Sequence, residues 1–125
     1  MYSSQVLDHF EHPRNSGVLD DPDVSVQLEN PVCGDVLKLS AKIVEGKICE
    51  IKFQAQGCVP AIACGSALSE LVKGMTINQA SALDQSALIR VLGQLPEASS
   101  HALALAMDAL SRLLKRLGGT TVVSR

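Results

Sequence analysis

Aromatic side chains are scarce in this sequence: its 125 residues include no tryptophan, one tyrosine and two phenylalanines. Hydrophobic residues nevertheless make up 46% of the chain, so the core must be built from leucine, valine, isoleucine and alanine. A chain of this length corresponds to one domain, and it can bury such a core without disulfide or metal staples. We therefore expect residues 1–125 to form a single domain.

The sequence also lacks a strong charge of either sign and any long apolar run. Its net charge is −2, whereas a nucleic-acid-binding surface is typically basic. No apolar run approaches the roughly 20 residues of a membrane span, and the first ten residues lack the layout of a signal peptide. We therefore predict a cytoplasmic protein that binds neither nucleic acid nor membranes. In a reducing compartment its four cysteines are candidate ligands, nucleophiles or buried thiols rather than disulfides.

The spacing of apolar residues in the first half of the chain predicts one helix and three strands. Residues 3–11 have helical spacing. Apolar and polar residues then alternate over 24–28, 37–43 and 49–55, which is typical of half-buried strands. Because short turns separate these segments, we predict an antiparallel sheet with one apolar face. Cys49 has the parity of the apolar positions and is assigned to that buried face.

After residue 57 the apolar spacing becomes helical. Thr76 and Asp84 are predicted N-caps of two short helices. The last helix is predicted to begin at Ser99 or Ser100 and to end at Gly118, because glycine commonly follows a helix C-terminus. The order of elements predicts an α+β fold, a three-stranded antiparallel sheet with helices packed on one face.

Residues that bind metals lie at the ends of these predicted elements. Cys33 and Asp35 flank a glycine in the turn between two strands, and Cys58 precedes a helix, whose N-terminus is expected to lower the thiol pKa. His101 lies at the start of the last helix. Cys64 lies inside a helix, where a ligand and a small core residue are about equally plausible. Together, thiolates, a carboxylate and an imidazole suit zinc, iron or an iron–sulfur cluster.

The chain resembles IscU-type scaffold proteins and the N-terminal domain of NifU. The motifs that carry the resemblance follow the family's order and occupy residues 8–17, 30–35, 53–63, 70–74 and 95–101. The resemblance implies a SufE-like α+β fold and a scaffold or carrier, not an enzyme. Such a scaffold receives sulfur from a cysteine desulfurase, assembles a [2Fe–2S] cluster, and passes it to acceptor apo-proteins. The resemblance also implies zinc in the protein as isolated.

The same resemblance implies a ligand set and shows two departures from it. Family members use three cysteines, with an aspartate and a histidine nearby; Cys33, Asp35, Cys58 and His101 occupy matching positions. The family's third cysteine follows the histidine, and here that residue is Ala102. The family usually has serine at the position of Cys64. We therefore hypothesise that Cys64 replaces the missing thiol. The candidate ligands are then the thiolates of Cys33, Cys58 and Cys64, with Asp35 or His101 as the fourth.

A further departure concerns residues 95–99. They read Leu-Pro-Glu-Ala-Ser, where the family usually has Leu-Pro-Pro-Val-Lys, its docking segment for an Hsp70-type chaperone. Chaperone docking is therefore not implied for this chain. Two alternatives to the scaffold remain open: a zinc-binding sulfur acceptor that works with a cysteine desulfurase, and a degenerate family member that binds only zinc.

Overall fold

The fold comprises one helix, a three-stranded sheet and a set of following helices. A computed structural model of the chain describes residues 2–32 and 34–122, with side chains up to Leu117. The elements are α1 (Ser4–Glu11), β1 (Val24–Asn30), β2 (Asp35–Val44), β3 (Lys47–Gln56), α2 (Val59–Val72), α3 (Ile77–Ser81), α4 (Gln85–Leu92), a short 3₁₀ helix (Glu97–Ser99) and α5 (Ser100–Val122).

The three strands form an antiparallel sheet in the order β1-β2-β3. Val26 pairs with Leu39, and Leu39 pairs with Phe53. All three side chains are buried, since residues aligned across neighbouring strands share one face of the sheet. Helix α2 packs against β3, and α5 packs against β1 and β2. The predicted α+β fold, with its apolar sheet face covered by helices, is therefore confirmed.

The sheet contains a β-bulge that the alternation of apolar residues did not predict. Lys42 pairs with Glu50, but Ile43 pairs with Ile48, so Cys49 is the extra residue of β3. A bulge reverses the parity of the strand beyond it. Ile48 is therefore fully buried, and Cys49 is only half-buried. The assignment of Cys49 to the buried face is wrong for this reason.

The helix ends largely follow the capping residues. Thr76 and Gln79 form a complete capping box on α3, and the Asp84 side chain accepts a hydrogen bond from the Ser86 amide at the start of α4. The predicted end of the last helix is wrong, because α5 continues past Gly118 to Val122. A glycine costs a helix interior only about 1 kcal/mol relative to alanine, so it weakens a helix without having to end it.

Helix α2 lies close to the sheet at Gly65, in the middle of the helix. A Cβ atom placed on Gly65 would lie 2.7 Å from the Phe53 ring, so only glycine permits this approach. The segment before the sheet is hydrogen-bonded to β3: the Phe53 amide donates to the Asn15 carbonyl, and the Gly17 amide donates to the Phe53 carbonyl.

Within the described residues, no helix is both long and apolar enough to cross a membrane.

Candidate metal site

Asp35 opens strand β2 and is almost completely buried, with 2% of its surface exposed. It pairs with Asn30, the last residue of β1. The turn between them includes Gly34 at φ +76°, a conformation that glycine adopts without strain. The structure thus holds a carboxylate at the end of the sheet with little access to water, where a bound cation or hydrogen-bond donors must compensate its charge.

Cys58 is the N-cap residue of α2, directly after the end of β3. Its backbone is extended, with φ −78° and ψ 167°, and Pro60 in the first turn favours a helix start here. The Cys58 amide lies 3.3 Å from Oδ1 of Asp35 and donates to it. The thiol Sγ lies 3.4 Å from Oδ2 of the same carboxylate.

His101 reaches the same point from the first turn of α5. Its Nδ1 lies 3.0 Å from the carbonyl oxygen of Ala98. A carbonyl only accepts hydrogen bonds, so Nδ1 is the donor in this contact, and Nε2 is the ring nitrogen that faces the other two ligand atoms. That Nε2 lies 3.3 Å from Oδ2 of Asp35 and 3.8 Å from Sγ of Cys58. An imidazole oriented through its other nitrogen is a typical arrangement for a metal ligand.

Three of the predicted ligands therefore meet in space. Ligand atoms of Asp35, Cys58 and His101 all lie within 4.8 Å of one another, and among the described residues no other acidic, cysteine or histidine side chain joins such a group. Sulfur, nitrogen and oxygen donors in one cluster suit zinc or iron. Cys33, the fourth expected ligand at this turn, lies outside the described residues.

The thiol of Cys58 is less acidic than its position at a helix N-terminus suggested. Desolvation by burial raises the pKa of this thiol, and the Asp35 carboxylate raises it further, while the backbone amides of Ala61 and Cys58 oppose the change. The backbone amides at the helix N-terminus lower the pKa, as expected of their position. The expectation of a lowered pKa is wrong because burial and the neighbouring carboxylate outweigh them.

Cys64 is not brought into this group. It is fully buried within α2 as part of the hydrophobic core, and burial, with a smaller contribution from the charge of Cys58, raises the pKa of its thiol to about 12. Ala102, which the resemblance places where the family would have its third cysteine, is also buried, with 1% of its surface exposed. Residues 64 and 102 are thus both packed in the interior.

Two contributors to the site carry no sequence signal of their own. The Ala98 carbonyl that orients His101 is a backbone group, so its residue type reveals nothing. Gly57 lies against the Asp35 carboxylate, but a glycine between a strand and a helix indicates only a chain reversal.

An α+β domain whose thiol, carboxylate and imidazole groups meet at the end of its sheet is typical of a metal-binding protein. The sequence matches the family "NifU-like N terminal domain" over residues 1–121. The chain belongs to this family.

Named relatives agree with this membership. The chain is 43% identical over 114 residues to "Iron-sulfur cluster assembly scaffold protein IscU 1" of Archaeoglobus fulgidus, covering 91% of the chain and 74% of the relative. It is 42% identical over 118 residues to "Iron-sulfur cluster assembly enzyme IscU" of Drosophila melanogaster, covering 91% and 76%. The crystal structure of a NifU-like N-terminal protein from Brucella abortus superposes with a TM-score of 0.76 at 19% identity, covering 94% of each chain. That last similarity concerns the fold alone.

Proposed function

We propose that this protein is an iron–sulfur cluster assembly scaffold or carrier, which holds iron or a [2Fe–2S] cluster as cargo for acceptor apo-proteins. The observation that carries the proposal is the meeting of Asp35, Cys58 and His101 ligand atoms within 4.8 Å. The names of relatives at 42–43% identity over 91% of the chain support the same function.

The ligand set is part of the proposal. Cys33 precedes Asp35 by two residues in the sequence. Together with Cys58 and His101, these two residues would supply four ligands, the number that a [2Fe–2S] cluster requires. A set with only two thiolates would hold the cluster less tightly than four thiolates, because carboxylate oxygen suits hard ions better than iron–sulfur clusters. Such a ligand favours release of the cargo, which a carrier needs.

Cys64 as the third thiolate ligand stays a prediction. Its complete burial and the raised pKa of its thiol, about 12, favour a core role, since a ligand must be deprotonated. To reach the cargo, the side chain would have to leave the packed interior of α2 (Val59–Val72).

The partners of the proposed scaffold follow from its cargo. A cysteine desulfurase would supply sulfur, and acceptor apo-proteins would take the cluster. Residues 95–99 read Leu-Pro-Glu-Ala-Ser rather than the family's chaperone-docking motif, so chaperone assistance is not part of the proposal. We further propose a binding protein rather than an enzyme, acting in the cytoplasm, although one relative bears the name "assembly enzyme".

Anaerobic reconstitution with iron and sulfide tests the proposal directly. The wild type is expected to gain iron and acid-labile sulfide in equal amounts, with the visible absorption of a [2Fe–2S] cluster. Cys58→Ser and His101→Ala should lower both, whereas Cys49→Ser, at a half-buried cysteine outside the ligand group, should not. One zinc per chain without sulfide, under conditions that load a known scaffold, would favour the zinc-binding alternative and contradict the proposal.

A further inference from the structure

Gly57 joins the end of β3 to the start of α2 in a backbone conformation that favours glycine, with φ +137°. An added Cβ atom at this position would lie 2.0 Å from Oδ1 of Asp35 and 2.7 Å from its Cγ. Real contacts are never this short, so the carboxylate occupies the space that any side chain at residue 57 would need. Because Asp35 is buried, with 2% exposure, its carboxylate cannot simply turn into solvent.

The two oxygens of the Asp35 carboxylate have different partners. Oδ1 accepts the Cys58 amide at 3.3 Å and lies against the bare Cα of Gly57. Oδ2 faces the other two ligand atoms, with Cys58 Sγ at 3.4 Å and His101 Nε2 at 3.3 Å. One oxygen is thus held by the backbone, and the other is directed into the ligand group.

We infer that Gly57 is a positioning residue of the metal site: the Gly57–Cys58 backbone forms a cradle that holds Oδ1 of Asp35, so that Oδ2 alone serves as the oxygen ligand. This inference deepens the proposed function and rests on it for the role of Oδ2. The cradle itself is a property of the chain without its cargo. The absence of a side chain at residue 57 therefore acts through Asp35, and Gly57 need not touch the metal.

Other glycines of the chain provide a matched control for backbone strain. Gly74 also has a positive φ of +89°, but an added Cβ there meets nothing within 4 Å. Alanine at either position would be strained, because both φ values, +137° and +89°, lie where side chains of L residues are rarely found. Only at residue 57 would it also displace the carboxylate. Comparing Gly57→Ala with Gly74→Ala therefore separates the cradle from the general cost of a positive φ.

The first measurement uses metal-free protein under anaerobic conditions. The Cys58 amide is expected to exchange with deuterium more slowly in the wild type and in Gly74→Ala than in Gly57→Ala, because only Gly57→Ala removes its acceptor. Asp35→Ala should accelerate the exchange to the same degree, and the double variant Gly57→Ala/Asp35→Ala no further. Equal protection in the wild type and Gly57→Ala would overturn the cradle.

The second measurement titrates the same proteins with Co²⁺, whose visible spectrum reports its ligands. Gly57→Ala is expected to weaken Co²⁺ binding about 10- to 100-fold, the usual effect of losing a group that orients a ligand, while Gly74→Ala binds like the wild type. In the Asp35→Ala background, Gly57→Ala should cause no further loss. A full additional loss there would overturn the inference. If the wild type binds no Co²⁺, the role of Oδ2 as a ligand and the proposed function fail together, while the amide exchange still decides the cradle.

Discussion

Nδ1 of His9 lies 2.8 Å from Oγ of Ser66, which joins the N-terminal helix α1 to helix α2 in the interior of the protein. His9 is buried, with 5% exposure. The Ser66 hydroxyl also accepts the Arg14 amide at 2.9 Å, so it binds both α1 and the loop that follows. This contact involves the helix whose N-cap is Cys58, and it therefore couples the N-terminus to the helix that positions the site.

The first prediction is a loss of stability as the pH falls through the range in which an unfolded histidine titrates. Burial lowers the pKa of His9 and Arg14 lowers it further, while Glu70 and Asp8 oppose the shift. A folded-state pKa below the unfolded value of 6.5 means that the unfolded chain binds more protons. The contribution is complete well above pH 6.5 and is lost below it, which denaturant unfolding between pH 8 and pH 5 would measure.

The control for this pH dependence is the exposed histidine of the same segment. His9→Gln should remove part of the slope between pH 7 and pH 5, whereas His12→Gln should preserve it, since His12 is exposed. A slope that is identical in the wild type and His9→Gln would contradict the assignment to His9.

The second prediction concerns the reactivity of Cys58. Because the Asp35 carboxylate contributes to the raised pKa of this thiol, Asp35→Asn should lower that pKa, and alkylation of Cys58 should reach its maximum rate at lower pH. The rate of iodoacetamide labelling at Cys58, followed by mass spectrometry from pH 6 to pH 10, measures the change. An unchanged or higher apparent pKa would show that burial alone sets the acidity of this thiol.

The third prediction separates the two roles considered for Cys64. As a core residue, Cys64 should tolerate alanine at a modest stability cost, and Cys64→Ala should bind metal like the wild type. Cys64→Ser should cost about 1–3 kcal/mol, because the hydroxyl is more costly to bury than a thiol. Chemical denaturation and anaerobic cluster reconstitution on both variants provide the measurements. Loss of the cluster in a folded Cys64→Ala protein would instead support Cys64 as a ligand.

The sequence predicts the elements better than it predicts their fine geometry. The alternation around Leu39 and Phe53 and the capping residues Thr76 and Asp84 are local signals, so the sheet and the helix starts follow from them. The bulge at Cys49 could not be predicted, because the apolar alternation of β3 looks the same whether or not this residue pairs with β2. Gly118 shows that a helix with a packed apolar face can absorb the propensity cost of a glycine.

For the site, the residue types indicated the candidate ligands, but the pKa of Cys58 and the packing of Cys64 could not be predicted from the sequence. Asp35, Cys58 and His101 are distant in sequence. Their proximity was indicated by the resemblance of the motifs to those of the family, and not by the spacing of the residues. The pKa of Cys58 depends on how deeply the thiol is buried and on a carboxylate 3.4 Å away, two quantities that only the tertiary structure supplies. The same holds for the packing of Cys64.

The last prediction tests the close approach of α2 to the sheet. Gly65→Ala would gain about 1 kcal/mol in helix propensity, but its Cβ would lie 2.7 Å from the Phe53 ring and 3.2 Å from Leu37. Overpacking of a core typically costs about 1–3 kcal/mol, so a net destabilisation of up to about 2 kcal/mol is expected on denaturant unfolding. Phe53→Leu should relieve the clash, so Gly65→Ala should be less destabilising in that background than alone. A Gly65→Ala protein more stable than the wild type would show that helix propensity dominates and that α2 can move away from the sheet.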